Sequence, residues 1–146
     1  MRLLGLDVGE RRIGVAASDP GGVLAFPLII LERRVEGRDM EAVARLVAEH
    51  GAGGVVVGLP RSLSGATGTQ AERVLTFVAA LKQKLGVPVH TYDERLSTVV
   101  AERRQREVGK PGKKGKGGRG VPKKHLDAEA AAVILQGYLD RQKVGL

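Results

Sequence analysis

Three apolar segments, residues 2–8, 12–18 and 23–31, follow one another through connections too short to hold a helix. No other feature limits the fold as strongly. Arg12-Ile13-Gly14-Val15-Ala16-Ala17-Ser18 must return beside Leu3-Leu4-Gly5-Leu6-Asp7 after a tight turn, and Asp19-Pro20-Gly21-Gly22 is a second turn sequence. The three strands therefore form an antiparallel meander. The pattern then changes period. Met40, Val43, Ala44, Leu46 and Val47 fall on one helical stripe within residues 37–50. Val55-Val56-Val57-Gly58 reads as a short buried strand. Residues 69–85 carry Val74, Phe77, Val78, Leu81 and Leu85 at helical spacing, with Gly86 placed as a C-terminal stop. A fifth strand ends near Tyr92. Ser97 or Thr98 can cap a helix running to about Val108, and a last helix runs from about Lys123 to Asp140. The order β-β-β-α-β-α-β-α-α predicts an α/β fold with a five-stranded mixed sheet flanked by helices. Its antiparallel meander lies at one side and two parallel strands at the other. The ends of the first and fourth strands are then neighbours, and loops there form the site.

Composition narrows the function. At 146 residues the chain is expected to be one domain, residues 1–146, with a real core. The apolar run from Ala25 to Leu31 is broken by Pro27, and the N-terminal stretch is too short for a secretory signal. No membrane association and a cytoplasmic location are expected. The absence of Cys removes disulfides and thiolate metal sites. The net charge of +8 is concentrated: residues 103–124 hold ten Lys or Arg against Glu107 alone, whereas the rest of the chain has 14 basic and 15 acidic residues. Such a field attracts polyanions, nucleic acid being the commonest, although charge runs also serve as solvated tethers. The glycines and prolines from Gly109 to Pro122 predict a mobile basic loop, residues 109–122.

Three acidic residues sit where packing explains them badly. Asp7 ends the first strand, Glu94 follows the fifth, and Asp127 opens the alanine-rich part of the last helix, in line with Ala130, Ala131 and Ile134. Asp93 and Glu94 point to opposite faces in extended chain. Glu94 has the longer reach, and Asp93 can orient the turn. Each has a simpler role available: a strand-end turn for Asp7, a surface acidic pair for Asp93 and Glu94, a first-turn dipole contact for Asp127. If the sheet gathers the three, their oxygens form a hard donor set suited to Mg²⁺ or Mn²⁺. Beside the basic run, that points to cleavage of a phosphate backbone.

Candidate backbone contacts are Arg61 and Ser62, in the Gly58-to-Gly68 loop, and Lys110, Lys113, Lys114, Lys116, Arg119, Lys123 and Lys124 in the basic run. No Walker loop is present, since Gly109-Lys110 and Gly112-Lys113 are not followed by Ser or Thr. His50, His90 and His125 lack zinc spacing. With two Phe and two Tyr, binding is expected to follow backbone charge and shape more than base stacking.

Leu6-Asp7-Val8-Gly9…Ile13-Gly14-Val15-Ala16, Val57-Gly58-Leu59-Pro60, Asp93-Glu94-Arg95-Leu96-Ser97-Thr98 and Lys124-His125-Leu126-Asp127-Ala128…Ala131-Ala132-Val133-Ile134-Leu135 together resemble the YqgF family over nearly the whole chain. Members are described both as Holliday junction resolvases and as nucleases maturing the 5′ end of pre-16S rRNA. The resemblance implies a ribonuclease H-like fold and metal-dependent phosphodiester hydrolysis, with Asp7, Glu94 and Asp127 as catalytic and metal-ligating residues. Related nucleases often carry a fourth acidic residue near the last; here positions 130 and 131 are Ala. Pre-rRNA and branched DNA both remain open as substrates, and so do a monomer and a homodimer. The Asp7-to-Ala16 turn also resembles the phosphate-binding turn of actin-like ATPases, and a non-catalytic RNA- or ribosome-binding factor fits the charge.

Overall fold

The computed structural model describes residues 1–60, 68–96 and 123–143. The expected helix from Ser97 to Val108, the loop from Gly109 to Pro122, Arg61 and Ser62 lie outside the described residues. The strands are β1 (Leu3–Val8), β2 (Arg12–Ser18), β3 (Ala25–Glu32), β4 (Gly54–Leu59) and β5 (Val89–Asp93). The helices are α1 (Glu36–His50), α2 (Thr69–Lys84) and α3 (Lys123–Lys143), and a 3₁₀ turn, Glu94–Leu96, follows β5. The strands form one sheet in the order β3-β2-β1-β4-β5. β1 pairs antiparallel with β2 and parallel with β4, as the pattern required. β4 and β5 are also parallel.

Strand alternation divides the core between the two faces. Leu4, Leu6 and Val8 of β1 and Val55, Val57 and Leu59 of β4 pack with Val43 of α1 and Val74, Phe77 and Leu81 of α2. Leu3 and Val56 pack on the opposite face with Ala131, Ile134 and Leu135 of α3. The alanines of α3 allow close approach: a Cβ on Gly5 would lie 3.0 Å from the Ala131 carbonyl oxygen and 2.8 Å from Leu135 Cβ.

Some boundaries differ from the sequence reading. Gly51 ends α1 in the left-handed conformation, but Gly86 does not cap α2. That helix stops at Lys84, and Leu85 takes extended backbone while its N–H donates to the Leu81 carbonyl at 2.8 Å. Leu85 and Val87 pack against the core, so burial of side chains turns the chain there. β5 begins at Val89 because Pro88 has no N–H to give the ladder. α3 starts at Lys123, which puts Asp127 past the first helical turn and removes the simple dipole role. Among the described residues no helix is long and apolar enough to cross a membrane.

β3 starts at Ala25 rather than Val23 because the preceding residues belong to a turn organised by Asp19. Its Oδ1 accepts the N–H groups of Leu24 and Val23, each at 2.7 Å, and its Oδ2 accepts that of Gly21 at 3.1 Å. The Leu24 and Val23 bonds hold the Asp19 carboxyl below its ordinary value of 3.8. A depressed folded-state pKa stabilises above the unfolded value and loses that stabilisation as pH falls through the folded one. Asp19→Ala is therefore expected to lower the melting temperature at neutral pH. The gap from wild type should close as pH is taken below 3.8, and melting curves across that range check it.

Candidate active site

The site is built where β1, β4 and β5 end, on the face covered by α3. Alternation along β1 places Leu3, Gly5 and Asp7 on that face, and the Asp7 side chain is buried at 4% exposure. Its neighbour across the β1–β2 ladder is Gly14. On the other side Leu6 pairs with Val57, so Gly58 comes next along β4. Asp7 thus lies between two strands that present hydrogen atoms where side chains would stand.

Each glycine admits another acidic residue. A Cβ on Gly14 would strike the Asp127 backbone carbonyl, so the start of the buried part of α3 rests directly on β2. A Cβ on Gly58 would lie 2.7 Å from Glu94 Oε2 and 2.5 Å from Ile134 Cδ1. Glu94 itself is buried at 3% exposure, at the start of the 3₁₀ turn. Its preceding neighbour Asp93 sits opposite Leu59 at the end of β5 and is only half-buried. The structure therefore brings Glu94, rather than Asp93, against Gly58 on the α3 face. Charged groups buried to this degree demand compensating charge or hydrogen bonds.

Asp127 reaches the same end of the sheet from above, with a different partner. Arg12 Nε donates to Asp127 Oδ2 at 3.2 Å, and the two side chains are 20% and 14% exposed. Arg12 stands two residues before Gly14 on the same face of β2. Among the described residues no three His, Cys, Asp or Glu side chains are grouped so as to hold an ion. Asp7 and Glu94 line the floor on either side of Gly58, and Asp127 is ion-paired at the margin. Of the basic candidates, Lys123 and Lys124 fall in the first turn of α3, with their side chains outside the described residues. Lys110, Lys113, Lys114, Lys116 and Arg119 also lie outside them.

Three residues shape the site in ways the sequence did not show, although Gly14 and Gly58 stand within the motifs of the family resemblance. Arg12 pairs with a residue 115 positions away. Gly14 and Gly58 look like ordinary strand glycines until the sheet order puts them on both sides of Asp7.

Residues 1–141 match the family described as "RuvX: Holliday junction resolvase". The chain belongs to the RuvX family. A curated protein of Desulforamulus reducens is 44% identical over 142 residues, covering 96% of this chain and 97% of its own. One of Chloroflexus aggregans is 46% identical over 142 residues, covering 97% and 94%. Both carry the name "Putative pre-16S rRNA nuclease". The YqgF resemblance in the sequence stands on these matches. The solved structure of Thermus thermophilus RuvC in complex with Holliday junction substrate superposes with a TM-score of 0.58, at 18% identity, over 99% of this chain and 96% of that one. The fowlpox virus resolvase with its Holliday junction DNA superposes with a TM-score of 0.51, at 13% identity, over 97% and 99%. At these identities the likeness is one of fold, and that fold is ribonuclease H-like.

Proposed function

We propose that this chain is a metal-dependent nuclease that hydrolyses phosphodiester bonds in the 5′-end processing of pre-16S rRNA in the cytoplasm. The observation that supports the reading is the burial of Asp7 and Glu94 beside Gly58 at one end of the sheet, with the Asp127 backbone resting on Gly14, the ladder partner of Asp7. The names of the curated relatives support the substrate.

The residues fit a hard divalent cation in kind. They offer oxygen donors only, two of them on deeply buried carboxylates, and the chain has no thiolate to compete. Asp7 and Glu94 would hold Mg²⁺ or Mn²⁺ from the sheet, and Asp127 would complete the set by giving up Arg12. When bound, such an ion supplies Lewis-acid polarisation of the phosphoryl group and an acidified water as nucleophile. Arg12, once released, keeps its guanidinium beside the site and can neutralise a phosphate oxygen. Arg61, Ser62, Lys123, Lys124 and the basic run from Lys110 to Arg119 are assigned to the flanking backbone.

A second reading is cleavage of four-way DNA junctions, favoured by the family's description and by the RuvC fold. A resolvase cuts two strands symmetrically and so acts as a pair. The test is to incubate the purified chain with Mg²⁺ or Mn²⁺ and, separately, precursor rRNA, linear duplex DNA and a four-way junction. Trimming of the rRNA 5′ end, stopped by a chelator, is the expected result. Paired cuts in the junction alone would transfer the assignment to a resolvase. Binding without cleavage under either ion would make the chain a binding factor.

A further inference from the structure

The turn that follows Asp7 also forms the wall of a cleft on the opposite face of the sheet. Val8, Gly9 and Glu10 line it on one side, Arg33 and Arg34 close one end, and Arg73 and Phe77 of α2 form the far wall. Its volume is about 520 Å³. Three arginines against one lining glutamate is notable in a chain whose excess charge lies wholly within residues 103–124.

The three arginines are held differently. Arg33 is fixed: its Nε donates to the buried Asp39 at 2.9 Å and its Nη1 to the Gly9 carbonyl at 2.7 Å. Its guanidinium also lies over the Phe77 ring, 5.4 Å from the centroid. It pins the turn after Asp7, and its charge is matched by Asp39. Among the described residues Arg73 pairs with Glu10, at 2.9 Å, and the two side chains are 61% and 75% exposed. Solvent screens such a pair, so exchanging Glu10 for another anion costs little. Arg34 is exposed, and its backbone N–H donates to Asp39 Oδ1 at 2.9 Å. Arg34 and Arg73 therefore offer two adaptable cations on the rim of an open cleft, while Arg33 keeps the wall in place.

We infer that this cleft holds the phosphate backbone of the same nucleic-acid strand as it leaves the carboxylate site. The inference rests on the nuclease reading and names a contact which that reading lacks. Gly9 follows Asp7 by two residues, one past the end of β1, so the chain between them spans at most about 7 Å. Stacked nucleotides advance about 3.4 Å along a strand, so roughly two would carry the backbone over the turn. Rim arginines on an open cleft suit a polyanion passing through, whereas a small free anion is best held by buried donors that enclose it.

The test measures equilibrium binding of 20-nucleotide single-stranded RNA and DNA in the Asp7→Asn background, so that nothing is cleaved. Arg34→Gln/Arg73→Gln is compared with Asp7→Asn alone, and with Arg45→Gln as an exposed control on α1. Circular dichroism and melting temperature establish that each variant is folded. The expected result is weaker binding by the double variant. The slope of log K against log salt should be shallower by about 1.4, at 0.7 per single-strand phosphate contact, while the control keeps the parent slope. Whichever strand binds more tightly identifies the sugar the track prefers. Equal slopes in parent and double variant, or an equal loss in the Arg45 control, would overturn the cleft assignment and leave the nuclease reading standing. Displacement of the strand by inorganic phosphate or a nucleoside monophosphate at millimolar concentration would overturn it in favour of a free-anion pocket. A parent protein that binds neither strand would overturn the cleft assignment, and the cleavage test above decides the nuclease reading separately.

Discussion

Replacing Asp7 with Asn is expected to abolish cleavage while leaving the fold intact. Asn keeps the volume and one carbonyl acceptor but removes the charge from a buried position between β2 and β4. Loss of a pre-organised electrostatic group of this kind lowers turnover by about 10²–10³-fold. The same substitution has a signature that needs no substrate. Binding of an ion at one hundred times its dissociation constant stabilises a protein by about 2.7 kcal/mol. For a chain of this length that is worth roughly 5–10 °C in melting temperature. Wild-type protein should gain that much on addition of Mg²⁺ or Mn²⁺, and Asp7→Asn and Glu94→Gln should gain far less. Asp127→Asn should differ, since it also weakens the ion pair with Arg12 and so lowers the melting temperature without any metal present. Unchanged turnover in Asp7→Asn, or a metal response equal to wild type, would remove Asp7 from the site.

The parts of the fold that sequence revealed are those set by local period. β2 begins and ends where the pattern put it, at Arg12 and Ser18, because alternation and two flanking turns bound it. α1 and α2 were legible from their apolar stripes. Boundaries failed where a side chain intervened: Asp19 takes the N–H groups that would have lengthened β3, and Leu85 packs inward where Gly86 looked like a cap. Asp7 and Glu94 were legible as candidates because a charged residue at the end of an apolar strand is locally anomalous. Their surroundings could not. Which strand adjoins β1 decides that Gly14 and Gly58 border Asp7, and that is a property of sheet order. The Arg12–Asp127 pair and the arginine cleft depend likewise on residues brought together from distant segments.

Sheet order also makes the two glycines unequal, and this yields the largest expected effect on stability. At Gly14 an added methyl group meets the backbone of α3 at Asp127 and Ala128, which no rotamer change can move. The helix must lift from the sheet, and its contacts at Ala131, Ile134 and Leu135, all buried, open with it. Overpacking of this kind costs about 1–3 kcal/mol. Gly14→Ala should therefore melt lower by about 2–4 °C per kcal/mol and lose activity together with stability. At Gly58 the nearest atoms to the methyl group are side-chain atoms rather than backbone: Ile134 Cδ1 and Cγ1 at 2.5 and 3.2 Å, and Glu94 Oε2 at 2.7 Å. They can yield, and the gain in backbone rigidity from replacing Gly offsets about 0.4–1 kcal/mol of the strain. Gly58→Ala should keep a melting temperature close to wild type, yet it displaces the Glu94 carboxylate. A misplacement of about 1 Å at a catalytic group can cost on the order of 10²-fold in rate. Thermal melts and single-turnover cleavage of the two variants separate these outcomes. If Gly14→Ala melts like wild type, α3 does not rest on β2 as described. If Gly58→Ala cleaves at the wild-type rate, the position of the Glu94 carboxylate beside β4 is not what the chemistry needs.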